Sequence, residues 1–199
     1  NIEIYIPDRQ KDGYGPNIIN FDSLIQKGVK TIITVDCGTS SFEAIDFAQS
    51  KNVDVIVELI GGSEGMAKKV VFSALKNKIH VITANKSLMA KYGDELALIA
   101  EKNKVNLEYE ASVAGGVPII RSIKEGLIAN KINKICGILN GTTNYILSAM
   151  EESKKSFHEV LDKAKKLGFA ETNPVSDLSG SDSAAKLRIL SSLAFSKSI

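Results

Sequence analysis

Along the first half of the chain, short runs of apolar and β-branched residues alternate with longer stretches of helical period. The runs are IEIYI (2–6), TIITV (31–35), VDVIVEL (53–59) and HVIT (80–83), and the spacing between them predicts helices over 18–27, 41–50 and 64–77. Parallel neighbours need a crossover connection, so the alternation predicts βα units around a parallel sheet. The punctuation agrees. Gly28 closes the first helical stretch, and Ser40-Ser41-Phe42-Glu43 has the spacing of a capping box, in which serine and glutamate each satisfy a free amide of the first turn. A helix over 87–102 and a strand LEYEA (107–111) continue the series.

Near residue 112 the rhythm changes. A helix over 118–127 is followed by the alternating run KINKICGILN (131–140), helices over 143–151 and 157–167, a polar loop, and a last helix from Asp182. The fold class is therefore α/β: parallel-sheet βα units, Rossmann-like but incomplete, followed by an α+β subdomain. The chain begins at Asn1 rather than Met and stops straight after a helical pattern, which reads as a fragment.

With 199 residues, 44% hydrophobic and 24% charged, the chain has the balance of a globular protein of one or two domains. Its 25 basic and 23 acidic residues are well mixed and leave a net charge of +2, so no basic stripe argues for nucleic acid or an anionic membrane. No apolar run is long enough to span a bilayer, and Cys37 and Cys136 stand far apart, which fits reduced thiols in the cytoplasm. With two histidines and neither CxxC nor HxxxH spacing, a zinc site is excluded as the default.

Several residues are candidates for chemistry. Asp182 and Lys186 lie one helical turn apart and so share a face, the spacing of an exposed salt bridge as well as of an acid–base pair. Glu171 and Asp177 sit in the polar loop AETNPVSD, where carboxylates either hold an ammonium group or are simply solvated. Gly61-Gly62 separates a strand from a helix, a tight turn that also lets the backbone approach a ligand. Lys86 in TANK follows a strand, at the carboxyl edge where open α/β sheets bind ligands. The carbonyls of the loop 110–117 suit a hard monovalent cation, and Asp36 ends the strand TIITV as a turn former or a metal ligand.

Two resemblances give these residues roles. The segments YIPDRQKDGYGPN, TIITVDCGTSSFEAI and NVDVIV, within residues 1–57, resemble the DHH phosphoesterases, most closely the RecJ single-strand exonucleases. That resemblance implies a divalent-metal role for Asp36. The DHH triplet expected after VDVIV is replaced by Glu58-Leu59-Ile60, so no nuclease activity is expected.

From about residue 53 onward the chain is similar to homoserine dehydrogenases, through VELIGG (57–62), VITANKSLMAKYGDEL (81–96), YEASVAGGVPIIRSI (109–123), GILNGTTNYIL (137–147) and LGFAETNPVSDLSGSDSAAKL (167–187). The resemblance implies NAD(P)-dependent interconversion of homoserine and aspartate semialdehyde, a step of threonine and methionine biosynthesis. It implies Lys186 as proton donor or acceptor, with Lys86 assisting and touching cofactor and substrate. Asp182, Glu171 and Asp177 would bind substrate, Gly61, Gly62 and Gly168 would lie against the cofactor, and Glu110, Val113, Gly115 and Val117 would ligate sodium. A homodimer formed through the region after residue 130 is implied as well.

No GxGxxG turn is present; the nearest string, GYGPNI (13–18), lacks the third glycine. The chain accordingly reads as an in-frame join of a DHH fragment (1–57) to the second half of a nucleotide-binding domain (58–110) and a truncated catalytic domain (111–199), with impaired activity. The alternatives are a metal-dependent phosphodiesterase and a non-catalytic dimerising fragment.

Overall fold

The computed structural model describes residues 4–6, 17–35, 47 and 53–195. Of the predicted helix 41–50 only residue 47 is described, and it is helical; the capping box, Asp36 and most of GYGPNI lie outside the described residues. Residues 4–6, the described part of the predicted strand 2–6, form no strand. The chain divides into two compact units between Gly126 and Leu127.

In the first unit, helix α1 (Ile18–Gln26) precedes strand β1 (Thr31–Val35), and Asn17 caps it by accepting from the Asn20 amide. Strand β2 (Val55–Leu59) leads to α2 (Met66–Lys76), β3 (His80–Thr83), α3 (Lys86–Asn103) and β4 (Leu107–Glu108). The four strands are parallel in the order β1-β2-β3-β4, as the βα alternation predicted. Each new strand adds on the same side of the last, and right-handed crossovers then put the connecting helices on one face.

The register shows which residues meet those helices. Ile56 pairs with Val81 and Glu58 with Thr83, and all four are buried. The alternate row, Ile33, Val57 and Ile82, points to the other face, where Ile33 and Ile82 are exposed. Helix α2 packs on β2, β3 and α3. Its Val70, Val71, Ala74 and Leu75 recur at helical spacing and are almost wholly enclosed, as are Leu88 and Leu96 of α3.

Strand LEYEA is cut short after Glu108. The Ser112 hydroxyl and amide both donate to the Tyr109 carbonyl, closing a 3-10 turn over Glu110–Ser112. The predicted helix 118–127 becomes a short helix α4 (Ile119–Arg121) and a π-helical turn over Ser122–Gly126. The Glu110 carboxylate accepts from the Ile120 and Arg121 amides, which ties this turn to the end of the sheet and keeps it with the first unit. The composition shift near residue 112 therefore falls inside that unit.

The second unit is helical: α5 (Gly141–Ser153), α6 (Phe157–Lys166), α7 (Val175–Leu178) and α8 (Ser181–Phe195). Ser156 and Glu159 form a complete capping box at the start of α6. Ile146 of α5 meets Val160 and Ala164 of α6, and Ala170 beyond, in a small core. Tyr145 stacks on Phe169 with centroids 4.4 Å apart. The alternating run 131–140 forms no strand. A strand is maintained by its ladder, and no strand of this unit lies among the described residues to pair with it. The polar loop holds α7, which the sequence pattern did not mark.

Candidate active site

The two units carry separate sets of candidate groups. In the first unit the set lies at the carboxyl edge of the sheet, where β2 and β3 release their loops. Gly61 and Gly62 have φ of 84° and 78°, the left-handed region that favours glycine. A Cβ at either position would meet nothing within 4 Å, so the turn's own conformation, rather than crowding, calls for glycine.

Glu58 fixes this turn from beneath. Its side chain is fully buried, with Oε1 accepting from the Ile60 amide at 2.7 Å and the Gly61 amide at 3.1 Å. Its Oε2 accepts from the Thr83 hydroxyl at 2.6 Å, and that hydroxyl oxygen accepts from the Asn85 amide at 3.0 Å. Asn85 completes the circuit: Nδ2 donates to the Gly62 carbonyl at 2.7 Å, while Oδ1 accepts from the Leu88 amide and caps α3. The loop of Gly61-Gly62 and the start of α3 are thus held together by one buried network. Lys86, half-buried, is the first residue of α3, immediately after that cap.

Beside the loop, Glu64 accepts from Lys91 and Tyr92, and these partners, Lys91 first, hold its carboxyl at about 2. Further along, Tyr109 is pushed up to about 12, mainly by burial and then by the nearby Glu108 carboxylate. The carbonyls proposed for a cation lie in a tight loop, in which Ala114 and Gly116 have positive φ. The Glu110 and Val117 carbonyls each accept one amide there, from Val113 and Ile119. A carbonyl oxygen has two lone pairs, so each keeps one for a further ligand.

In the second unit the candidates converge around Asn140. Lys186 Nζ stands 2.8 Å from Asp182 Oδ2 and donates to the Leu139 carbonyl at 2.7 Å. The Asp182 side chain is 7% exposed and that of Lys186 20%, so this is not the solvated pair that the spacing alone allows. Asn140 Nδ2 donates to Asp182 Oδ2 at 2.9 Å and to Asp177 Oδ1 at 2.8 Å. Asp177, Asp182 and Lys186 are therefore assembled from α7 and α8 onto the residue pair that opens α5.

Two sequence candidates are placed differently. Glu171 is exposed and has no hydrogen-bond or ion-pair partner among the described residues. Gly168, with φ of 78°, ends α6: its amide donates to the Lys165 carbonyl and the Phe169 amide to that of Ala164, a Schellman motif that accounts for the glycine without a ligand. Sequence reasoning did not single out Glu58, Thr83, Asn85 or Asn140 as site residues. Glu58 was detectable as a charge inside an apolar strand, and Asn140 as a cap residue before a helix.

The arrangement suits proton transfer at a charged substrate. An ammonium has three donors, and two of those on Lys186 go to Asp182 and Leu139, leaving a third direction. Asp177 and Asp182 bring two carboxylates to the Asn140 amide, and carboxylate oxygens can accept from a cationic group. Among the described residues no group of three or more His, Cys, Asp or Glu side chains is placed to hold a metal ion, and no helix is long and apolar enough to cross a membrane.

Two family models match the chain: the homoserine dehydrogenase NAD-binding domain over residues 34–110 and homoserine dehydrogenase over residues 118–199. The first match begins inside the segment that resembles the DHH phosphoesterases. A homoserine dehydrogenase of Neisseria gonorrhoeae is 47% identical over 161 residues, which cover 80% of this chain and 37% of that protein. The structure is similar to that of a homoserine dehydrogenase from Thiobacillus denitrificans, with a TM-score of 0.72 and 47% identity, covering 78% of this chain and 35% of the other. A hyperthermophilic archaeal homoserine dehydrogenase in complex with NADPH aligns with a TM-score of 0.72 and 29% identity, covering 82% of this chain and 50% of that one. The chain spans little more than a third of the length of the curated relatives it matches.

Proposed function

The chain belongs to the homoserine dehydrogenase family, and on that premise we propose that it interconverts homoserine and aspartate semialdehyde with NAD or NADP. The observation that carries the reading is the Lys186 ammonium held between Asp182 Oδ2 and the Leu139 carbonyl, beside a second carboxylate. In the oxidation, unprotonated Lys186 accepts the hydroxyl proton as the alcohol carbon becomes a carbonyl; in the reverse direction protonated Lys186 returns it. Asp182 and Asp177 hold the substrate ammonium, with Glu171 joining from the exposed loop.

The first unit fits the dinucleotide. Gly61 and Gly62 leave open space above a turn at the sheet edge, and Lys86 begins the helix beside it. The nicotinamide, when bound, supplies the acceptor for the hydride. Gly61 and Gly62 let the backbone lie close to it, and Lys86 orients the substrate. Gly168 serves the α6 terminus first and touches the ligand only through that turn.

Finer assignments complete the proposal. Neutral carbonyls at Glu110, Val113, Gly115 and Val117 suit sodium better than a divalent ion, which calls for carboxylates. Residues 131–140, which form no strand here and expose Ile138, are where a second copy would pair to form a homodimer. A cytoplasmic location goes with this reaction. Residues 34–57 fall within the match to the homoserine dehydrogenase NAD-binding domain, and β1 pairs with β2 along its full length, which favours a strand of the dehydrogenase sheet over nuclease chemistry for this stretch.

Calorimetric titration with homoserine and with its deaminated analogue tests the reading. Homoserine binding that is lost without the ammonium group supports it; equal binding of the two compounds removes the role given to the carboxylates.

A further inference from the structure

We propose that Asn140 is the positioning residue of the substrate cluster: its side-chain amide clamps the Asp177 and Asp182 carboxylates together, beside the Lys186 ammonium. The inference rests on the reading of those three groups as substrate-facing, and it adds a residue that the reading does not need.

Asn140 is 6% exposed and every polar atom of its side chain is engaged. Oδ1 accepts from the Thr143 amide at 2.8 Å and from the Thr143 hydroxyl at 3.0 Å. Nδ2 donates to Asp177 at 2.8 Å and to Asp182 at 2.9 Å. The orientation of the amide follows from its partners. The Thr143 amide can only donate and an ionised carboxylate only accept, so a flipped side chain would set donor against donor and acceptor against acceptor.

The residue type follows from the same geometry. Serine, threonine and aspartate all cap helices, and aspartate has the shape of asparagine. None of them offers an acceptor toward the helix together with two donors toward a pair of carboxylates. One rigid amide thereby sets the separation of Asp177, on α7, from Asp182, on α8, across 37 and 42 residues of sequence. The preceding carbonyl, Leu139, takes a proton of Lys186, so consecutive residues locate all three groups.

The test compares Asn140→Asp with Asn140→Ser in the full chain, reading the urea midpoint from about pH 8 to about pH 4, together with KM and kcat for homoserine. In Asn140→Asp a third carboxylate faces Asp177 and Asp182, beside the Lys186 ammonium. Its midpoint should fall below wild type at the upper pH and recover as acid protonates the group. Asn140→Ser keeps the cap but loses both donors without adding a charge, so its deficit at the upper pH should be smaller than that of Asn140→Asp. For Asn140→Asp, KM should rise on the order of 10- to 100-fold, the scale of a charge-assisted hydrogen bond, with a smaller fall in kcat.

A role limited to the helix cap predicts that Asn140→Asp matches wild type at every pH, and that result overturns the clamp. If Asn140→Asp does not fold, the wild-type side-chain amide protons decide: slow solvent exchange at Asn140 supports the clamp, and fast exchange contradicts it. A pH-dependent deficit without homoserine turnover in the wild type keeps the clamp and removes the proposed function. Turnover that is indifferent to Asn140→Asp does the reverse.

Discussion

Glu58 and Thr83 face each other across parallel strands, carboxylate to hydroxyl at 2.6 Å, inside the closed face of the sheet. The pair joins the two strands that release the Gly61-Gly62 turn and the TANK segment, so the sheet's register also sets the spacing of those two loops. Glu58→Ala would leave the Ile60 and Gly61 amides and the Thr83 hydroxyl without their acceptor. A stability loss of about 2 to 4 kcal/mol is expected by chemical denaturation. Thr83→Val removes the hydroxyl that donates to Glu58 and accepts from the Asn85 amide, and should cost about 2 kcal/mol.

Gly62→Ala separates backbone strain from crowding. With φ at 78° and no atom within 4 Å of the added methyl, the loss should be about 1 kcal/mol and come from conformation alone. A thermal or urea melt measures it. On the proposed cofactor role of Gly62, dinucleotide affinity should fall further than stability does, because the methyl would fill space that is open at the turn.

Asp182→Ala should cost roughly 3 kcal/mol, well above the few tenths of an exposed pair at the same helical spacing. Burial decides the size, since Lys186 would lose its counter-ion with only a fifth of its side chain in water. A double-mutant cycle with Lys186→Met should return a coupling of about 1 to 3 kcal/mol; a coupling near zero would mean that the two side chains act independently.

Tyr109 sets an alkaline limit. Its folded value of about 12 lies above the ordinary 10.0, so between these the unfolded chain releases the phenol proton and the folded chain keeps it. The folded state then binds more protons, and stability falls as pH rises through that window, by at most about 3 kcal/mol. Below the window the effect is fully present in the folded state's favour and does not vary. In Tyr109→Phe the alkaline slope of a urea midpoint series should be reduced, with the neutral-pH midpoint little changed.

Much of the fold was legible because its signals are local. TIITV and HVIT became β1 and β3 without change of bounds, and the spacing of Val70, Val71, Ala74 and Leu75 marked the buried face of α2. The run 131–140 misled for the opposite reason: alternation describes a strand's faces, whereas pairing depends on a neighbour that the run does not contain. The site shows the same division. Asp182 and Lys186 share a face by helical spacing, a relation any sequence displays. Asn140 meets Asp177 and Asp182 only through the packing of α5, α7 and α8, and its sequence signal was that of a helix cap. Glu171 lay in a suitable loop, yet the fold brings it to no partner among the described residues.

The most direct test is homoserine-dependent reduction of NADP, followed by nicotinamide absorbance, in wild type and Lys186→Ala. The account predicts a homoserine-dependent rate, however slow, that falls about 100-fold or more when the lysine amine is removed. A rate that survives Lys186→Ala, or the absence of any homoserine-dependent reduction, would contradict it.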